Sequence, residues 1–336
     1  MQRRILDYII ISLKGIAMGA ADAVPGVSGG TIAFISGIYE ELINTISGVN
    51  LSLLFTLRKK GITAFWKQLN GNFLVALLTG IIISFVSFMR LAKYLIEQKP
   101  VLIWSFFFGL IVASIVFVGK QITKWNLGTF ISLLLGAIAA YYITTLPSLA
   151  DNDNAFFLFF AGALAICAMI LPGISGSFIL VILGAYKTLS DALHDFDFKK
   201  IFLFVAGAVV GLLSFSRILK WLFKNYHNTT LAILTGFILG SLNKIWPWKM
   251  TLEVLEKSSG KMLPFSEISN LGTLSVYQQQ INEFETYKTI SEKSIWASQY
   301  FEINNETNPQ VAFAISLMVV GFLTIFILEK LGSKKQ

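Results

Sequence analysis

Apolar stretches close to the roughly 20 residues that cross a bilayer's hydrocarbon core recur at residues 73–95, 101–119, 127–147, 200–223, 230–247 and 310–331. No stretch alternates apolar and polar residues with the period of a strand, so the pattern predicts a helical integral membrane protein. Two further long apolar stretches are each interrupted by the same break, Pro25-Gly26-Val27-Ser28-Gly29 and Pro172-Gly173-Ile174-Ser175-Gly176. Lipid supplies no hydrogen bonds, so such a break at membrane depth persists only where protein or a watery cavity satisfies the freed backbone groups. The pair predicts two broken helices meeting inside the membrane. Met1-Gln2-Arg3-Arg4 runs directly into an apolar segment with no small-residue cleavage site ahead of a polar sequence. It reads as a retained first segment, not a removed signal peptide.

The two breaks belong to a longer repeat. A shift of 147 residues lays Pro25 on Pro172, Ser28 on Ser175, Gly37 on Gly184 and Tyr39 on Tyr186. A shift of 127 lays Ser87-Phe88-Met89-Arg90 on Ser214-Phe215-Ser216-Arg217, and Gly109 on Gly236. The difference implies an insertion around residues 50–70, and a looser match of Ile131-Ser132-Leu133 to Ile315-Ser316-Leu317 implies a second one over 248–309. The expected fold class is all-α, with two inverted-topology repeats. Each has a broken or re-entrant helix pair followed by three transmembrane helices. The first covers residues 1–147, the second residues 148–247 plus 310–336. An odd number of crossings per repeat forces the inversion, whether the short segments span or fold back.

Loop charge gives an independent orientation, because Lys and Arg prefer cytoplasmic loops. With the N-terminus inside, Arg3/Arg4, Arg58/Lys59/Lys60/Lys67, Lys120/Lys124, Lys220/Lys224 and Lys330/Lys334/Lys335 share the cytoplasmic side, and both termini lie there. The other side receives Asp151/Asp153, Asp191/Asp195/Asp197 and the polar 248–309 insertion, a small extracytoplasmic cap, with Lys199/Lys200 as the exception. The chain is 55% hydrophobic and only 14% charged, against about a quarter charged in soluble domains. A net charge of +8 does not indicate nucleic acid, since the cations flank membrane segments and form no basic face. Cys167 has no intramolecular partner, and His194 and His227 stand apart without a Cys/His cluster. No metal site or cofactor is expected.

The candidate chemistry lies at the breaks. Discontinuous helices in transporters commonly aim half-helix N-termini at an anionic group near the midplane. After Pro25 and Gly26 come Ser28, Gly29, Gly30 and Thr31; Pro172 and Gly173 are followed by Ser175, Gly176 and Ser177. A proline opens a helix without wasting an N–H, glycines let backbone approach a ligand, and hydroxyls add donors. The alternative is a kink for close helix packing. Arg90 and Arg217, at equivalent places, are candidates to reach a bound anion from opposite sides, against snorkelling to headgroups. Asp22 lies in the first broken segment three residues before Pro25 and has Met169 as its counterpart. It is a candidate coupling residue, or a cap for the turn. Glu40 and Glu41 read as a solvated helix terminus. Tyr39 and Tyr186 read as interfacial anchors, with lining of the substrate path as the alternative.

The blocks Gly19-Ala20-Ala21-Asp22-Ala23-Val24-Pro25-Gly26-Val27-Ser28-Gly29-Gly30-Thr31 and Leu171-Pro172-Gly173-Ile174-Ser175-Gly176-Ser177-Phe178 resemble the bacterial polyprenyl-phosphate transporter family, the PopT-type undecaprenyl-phosphate translocases. The resemblance covers residues 5–247 and the last helix. It implies a bacterial cytoplasmic-membrane protein that returns undecaprenyl phosphate from the outer to the cytoplasmic leaflet for envelope polymer synthesis, including peptidoglycan. The implied partners are that or a similar polyprenyl phosphate and membrane lipids, with a homo-oligomer left open. Undecaprenyl-pyrophosphate phosphatases carry a related Pro-Gly-x-Ser-Arg-Ser type motif, but here Gly29 and Gly176 replace the arginine and no Glu-x-x-x-Glu pair precedes either motif. The residues can hold a phosphate but have little means of cleaving it, so no enzyme is expected. The alternatives are a small-anion channel or ion transporter, or the undecaprenyl-pyrophosphate phosphatase itself, which release of inorganic phosphate from the lipid pyrophosphate would identify.

Overall fold

The computed structural model describes residues 3–22, 28–146, 154–256, 261–268, 287–303 and 308–333. It is mostly helical. The first half runs α1 (Ile5–Asp22), α2 (Gly29–Ile35), α3 (Tyr39–Ser47), α4 (Leu51–Gln68), α5 (Gly71–Gln98), α6 (Pro100–Lys120) and α7 (Leu127–Thr145). Then follow α8 (Ala155–Ile170), α9 (Gly176–Ile182), α10 (Tyr186–His194), α11 (Phe198–Asn225) and α12 (His227–Gly240), which tightens into a 3₁₀ turn over Ser241–Ile245. Side chains start several of these elements: Ser28, Asn50, Asn126 and Asn154 each accept a backbone N–H of the first turn they precede, satisfying donors the helix cannot pair.

Among the described residues, α6, α7 and α11 are long and apolar enough to cross a membrane, and α5, α8 and α15 (Val311–Ser333) contain shorter apolar stretches. The stretch expected at 230–247 leaves the α-helix at Gly240. At 1.5 Å per residue, the seven-residue α2 and α9 rise only about 10 Å, a third of the hydrocarbon core. Both end on the same turn. Gly37 and Gly184 take φ of 73° and 67°, and the next N–H reaches back five residues, Ile38 to Ala33 O and Ala185 to Leu180 O. A residue with a Cβ is strained in that left-handed conformation, which is why glycine stands at both positions.

Helices pair lengthwise as α1 with α5, α8 with α11, α6 with α15 and α7 with α12. Glycine sets how closely they approach. A Cβ on Gly109 would run into Met318 O and one on Gly321 into Phe106 O, both across the α6–α15 contact. Gly236 stands likewise against Leu133 O, across α7–α12. The main core threads α1, α2, α3, α5, α6, α11 and α12, with Ala33, Phe73, Leu77, Leu231 and Ile238 fully enclosed. Large apolar side chains such as Leu127, Phe156, Phe202 and Phe313 point outward, as lipid-facing positions should.

The 248–309 stretch contains a three-stranded antiparallel sheet in the order β2-β1-β3, from β1 (Lys249–Glu256), β2 (Met262–Pro264) and β3 (Tyr287–Ser294), with short helices α13 (Phe265–Ile268) and α14 (Ala297–Ile303). The sequence pattern did not reveal this sheet. It is seated on the ends of α6 and α15 through Trp248, Ile295 and Tyr300 against Val101 and Ala314. The indole N–H groups of Trp246 and Trp248 donate to Ile295 O and Pro309 O, each at 2.9 Å.

Candidate functional site

Ser28 is the N-cap of α2. Its Oγ accepts Gly30 N–H at 3.1 Å, and its proton has two acceptors within reach, Met169 O at 3.2 Å and Leu171 O at 3.3 Å. Those carbonyls end α8, 141 and 143 residues along the chain. A return bond runs the other way: the Gly173 N–H donates to Thr31 Oγ1 at 3.0 Å. The two breaks are therefore in direct contact, each satisfying backbone or hydroxyl groups of the other, with Ser28 and Thr31 buried. Gly30 permits this approach, since a Cβ there would strike Ile170 O; one on Gly176 would meet Ala165 O at 2.7 Å. Pro172 and Gly173 are buried beside them, Ser177 is exposed, and Ser175 Oγ lies 2.9 Å from Ser177 Oγ. Pro25 and Gly26 lie outside the described residues, as does the side chain of Arg90.

Charge distinguishes the first break from the second. The Asp22 carboxylate, at the end of α1, accepts Gly29 N–H at 2.7 Å, while Lys14, two turns earlier on α1, donates to Ser36 O at 2.6 Å. Helices α1 and α2 thus run antiparallel, with an anion at the N-terminal end of α2 and a cation at its C-terminal end, the arrangement a helix dipole favours. The 147-residue shift puts Ala161 and Met169 in the corresponding places. Sequence reasoning missed Lys14, whose only signal was a cation inside an apolar helix.

The other candidates are spread out. Tyr39, read from sequence as an interfacial anchor, is 2% exposed, its ring 4.8 Å from Phe34 and 6.0 Å from Phe223; it is a core residue because α3 packs against α11. Glu41 is not simply solvated: Arg3 donates to both its oxygens at 2.6 Å and Asn70 to Oε1 at 2.9 Å. Glu40 is exposed, 3.9 Å from His227 Nδ1. Tyr186 is half-buried against the cluster of Leu158, Ala161 and Leu180. Arg217 is exposed on α11 and donates to Val49 O at 3.0 Å, just past the end of α3. None of its described hydrogen bonds reaches a break. Near it, Glu40, Ile43, Asn44, Lys220, Phe223 and Lys224 line a cleft of about 220 Å³.

Among the described residues no group of His, Cys, Asp and Glu is arranged to hold a metal. At the first break the Gly29 and Gly30 amides, the Ser28 hydroxyl and the Gly173 amide are all paired within the chain, whereas on the second break Ser175 and Ser177 pair with each other and Ser177 is exposed.

The chain is 41% identical to a polyprenyl-phosphate transporter of Vibrio cholerae over 334 residues, covering 99% of this chain and all of the relative. That match runs through the 248–309 stretch as well. It is 32% identical to a polyprenyl-phosphate transporter of Staphylococcus aureus over 254 residues, 70% of this chain and 85% of the relative. No solved structure is a significant match. The family model that matches residues 18–263, described as undecaprenyl phosphate translocase-like, covers well over half the chain and includes both breaks. By that match and by its full-length relative, the chain is a transporter-type membrane protein, not an enzyme, and it belongs to the VCA0040-like, undecaprenyl phosphate translocase-like family.

Proposed function

We propose that this protein moves a polyprenyl phosphate, undecaprenyl phosphate in the first place, from the outer to the cytoplasmic leaflet of the bacterial inner membrane. The headgroup passes the paired breaks while the prenyl chain stays in lipid. The observation that carries the reading is the mutual bonding of the two breaks through Ser28, Thr31 and Gly173. Ser28 and Thr31 are buried at that contact, and two relatives are named as polyprenyl-phosphate transporters.

The architecture we assign is a pair of inverted repeats with re-entrant short helices. Support comes from equal element lengths, seven residues for α2 and α9, nine for α3 and α10, 28 for α5 and α11. The partner exchange of α6 with α15 and α7 with α12 adds to it. We place both termini on the cytoplasmic side from the charge distribution, and the 248–309 cap outside. Ser175, Gly176 and Ser177 are the groups we assign to the phosphate, because on the first break Asp22 and Ser28 already occupy the Gly29 and Gly30 amides. Arg217, with Lys220 and Lys224, borders the inner exit in this reading; Arg90 is the candidate for the opposite side by sequence alone. Asp22 is the coupling candidate.

Transbilayer movement of labelled undecaprenyl phosphate in proteoliposomes tests the reading, against empty liposomes and a Ser28→Ala/Ser175→Ala double variant. The expected result is movement by the parent that falls at least tenfold in the variant. No movement by folded parent protein, with or without a pH gradient, removes the lipid-transport reading in favour of a small-anion pathway.

A further inference from the structure

Three charged side chains converge where the cap meets the helices. Glu292 Oε2, on β3, lies 3.4 Å from Lys249 Nζ on β1 and 3.5 Å from Lys244 Nζ in the 3₁₀ turn after α12. Lys249 Nζ sits 4.0 Å from the ring centre of Trp104 on α6. Lys244 Nζ sits 4.8 Å from the ring centre of Phe178 on α9, the residue that follows Ser177. Exposure of the three side chains is 8% for Lys249, 21% for Lys244 and 22% for Glu292.

Among the described residues two ammonium groups share one carboxylate oxygen, so the described cluster holds one positive charge in excess. A group held only to staple the cap would balance its charges, because a largely desolvated ion without a counterion is costly. Each ammonium carries three donors, and one carboxylate oxygen cannot occupy them all. The ligand that would complement this set is an anion with several acceptor oxygens, held next to ring surface. A phosphate monoester has that chemistry: close to two negative charges and three acceptor oxygens. Trp104 and Phe178 offer the apolar surface for the first carbons of an attached chain.

We infer that Lys244 and Lys249, balanced by Glu292, form a phosphate-capture site at the cap end of the helices, where a polyprenyl phosphate headgroup is taken up before it reaches Ser177 and the second break. The inference rests on the function proposed above.

The test measures binding of farnesyl phosphate, inorganic phosphate and farnesol to the full chain in nanodiscs, for the parent, Lys244→Gln and Glu292→Gln. Losing one ammonium should weaken farnesyl phosphate roughly tenfold or more, the scale of a charge-assisted hydrogen bond. Losing the carboxylate should tighten it, while farnesol binding stays put. Tryptophan emission from the cap checks that each variant is folded, and Lys244, less buried than Lys249, is the safer substitution. Equal-signed or absent changes in phosphate affinity overturn the inference and leave a purely structural ion cluster; lipid movement persisting in those variants would then keep the function standing. Opposite shifts for inorganic phosphate, with no binding or movement of the prenyl compound by the parent, keep the anion site and remove the lipid as its occupant.

Discussion

Asp22 and Lys14 do different work from the serine and glycines between them. The motif residues bring two backbones together, whereas these two charges fix α2 against α1 by its ends. Asp22→Ala removes an acceptor from a helix start and should cost about 0.5–2 kcal/mol of stability, read as a lower melting temperature in detergent. Asn keeps an acceptor oxygen but no charge. Asp22→Asn should therefore stay folded, and if Asp22 carries the coupling proton, its lipid movement should no longer respond to an imposed pH gradient. A response of parental size would remove the proton role from this residue. Lys14→Met should destabilise by about 1 kcal/mol through loss of a cation at a helix C-terminus. The motif was plain in the sequence, and so was Asp22 beside it. The bond between Lys14 and Ser36 was not, because it depends on α1 and α2 folding antiparallel, which neither residue announces.

Between elements, glycine is what lets long helices lie against one another. Gly109 and Gly236, 127 residues apart, each face a carbonyl on a neighbouring helix, Met318 O and Leu133 O. Valine at either place should cost at least the roughly 1–3 kcal/mol typical of overpacking, while Gly119, which has nothing near its missing Cβ, should tolerate alanine within about 0.5 kcal/mol. Thermal unfolding of the three variants checks the ranking; equal losses would show that the glycines report helix propensity alone. Where the sequence offset jumps, around residues 50–70, the chain forms α4, bent at Gly61. The sheet was not legible. β1 pairs with β3 through irregular register around Thr251 and Glu253, so its inward residues, Thr251 and Val254, fall out of the simple alternation that marks a strand.

Taken as a whole molecule, the chain joins a lipid-facing helical body to a polar cap through one tryptophan-rich seam. Trp246, Trp248 and Trp296 stack edge-on at 5.7 and 6.2 Å from the first ring, beside the Lys244–Glu292–Lys249 cluster. Burial pushes the Glu292 carboxyl up, but the ammonium groups of Lys249 and Lys244 outweigh it and hold the group below its ordinary range. A carboxyl depressed on folding stabilises the folded state above its unfolded pKa of about 4.3 and loses that contribution as pH falls through the lower folded value. Cap tryptophan emission should thus hold steady down to about pH 4 and then shift red, earlier than the far-ultraviolet signal of the helices. Simultaneous loss of both signals would mean the cap has no separate stability.

The unequal capping of the two breaks also bears on energy between states. Two inverted copies with identical ends would make inward-facing and outward-facing arrangements mirror conformations of equal free energy, populated half and half. If the halves are the inverted copies proposed above, Asp22 and Lys14 sit on one of them only, and their contacts weigh on one side of that balance. Each 1.4 kcal/mol of difference is a tenfold bias in resting population. In the inverted-repeat reading proposed above, the chain would thereby acquire a preferred waiting posture, and with it a side of the membrane on which it rests open.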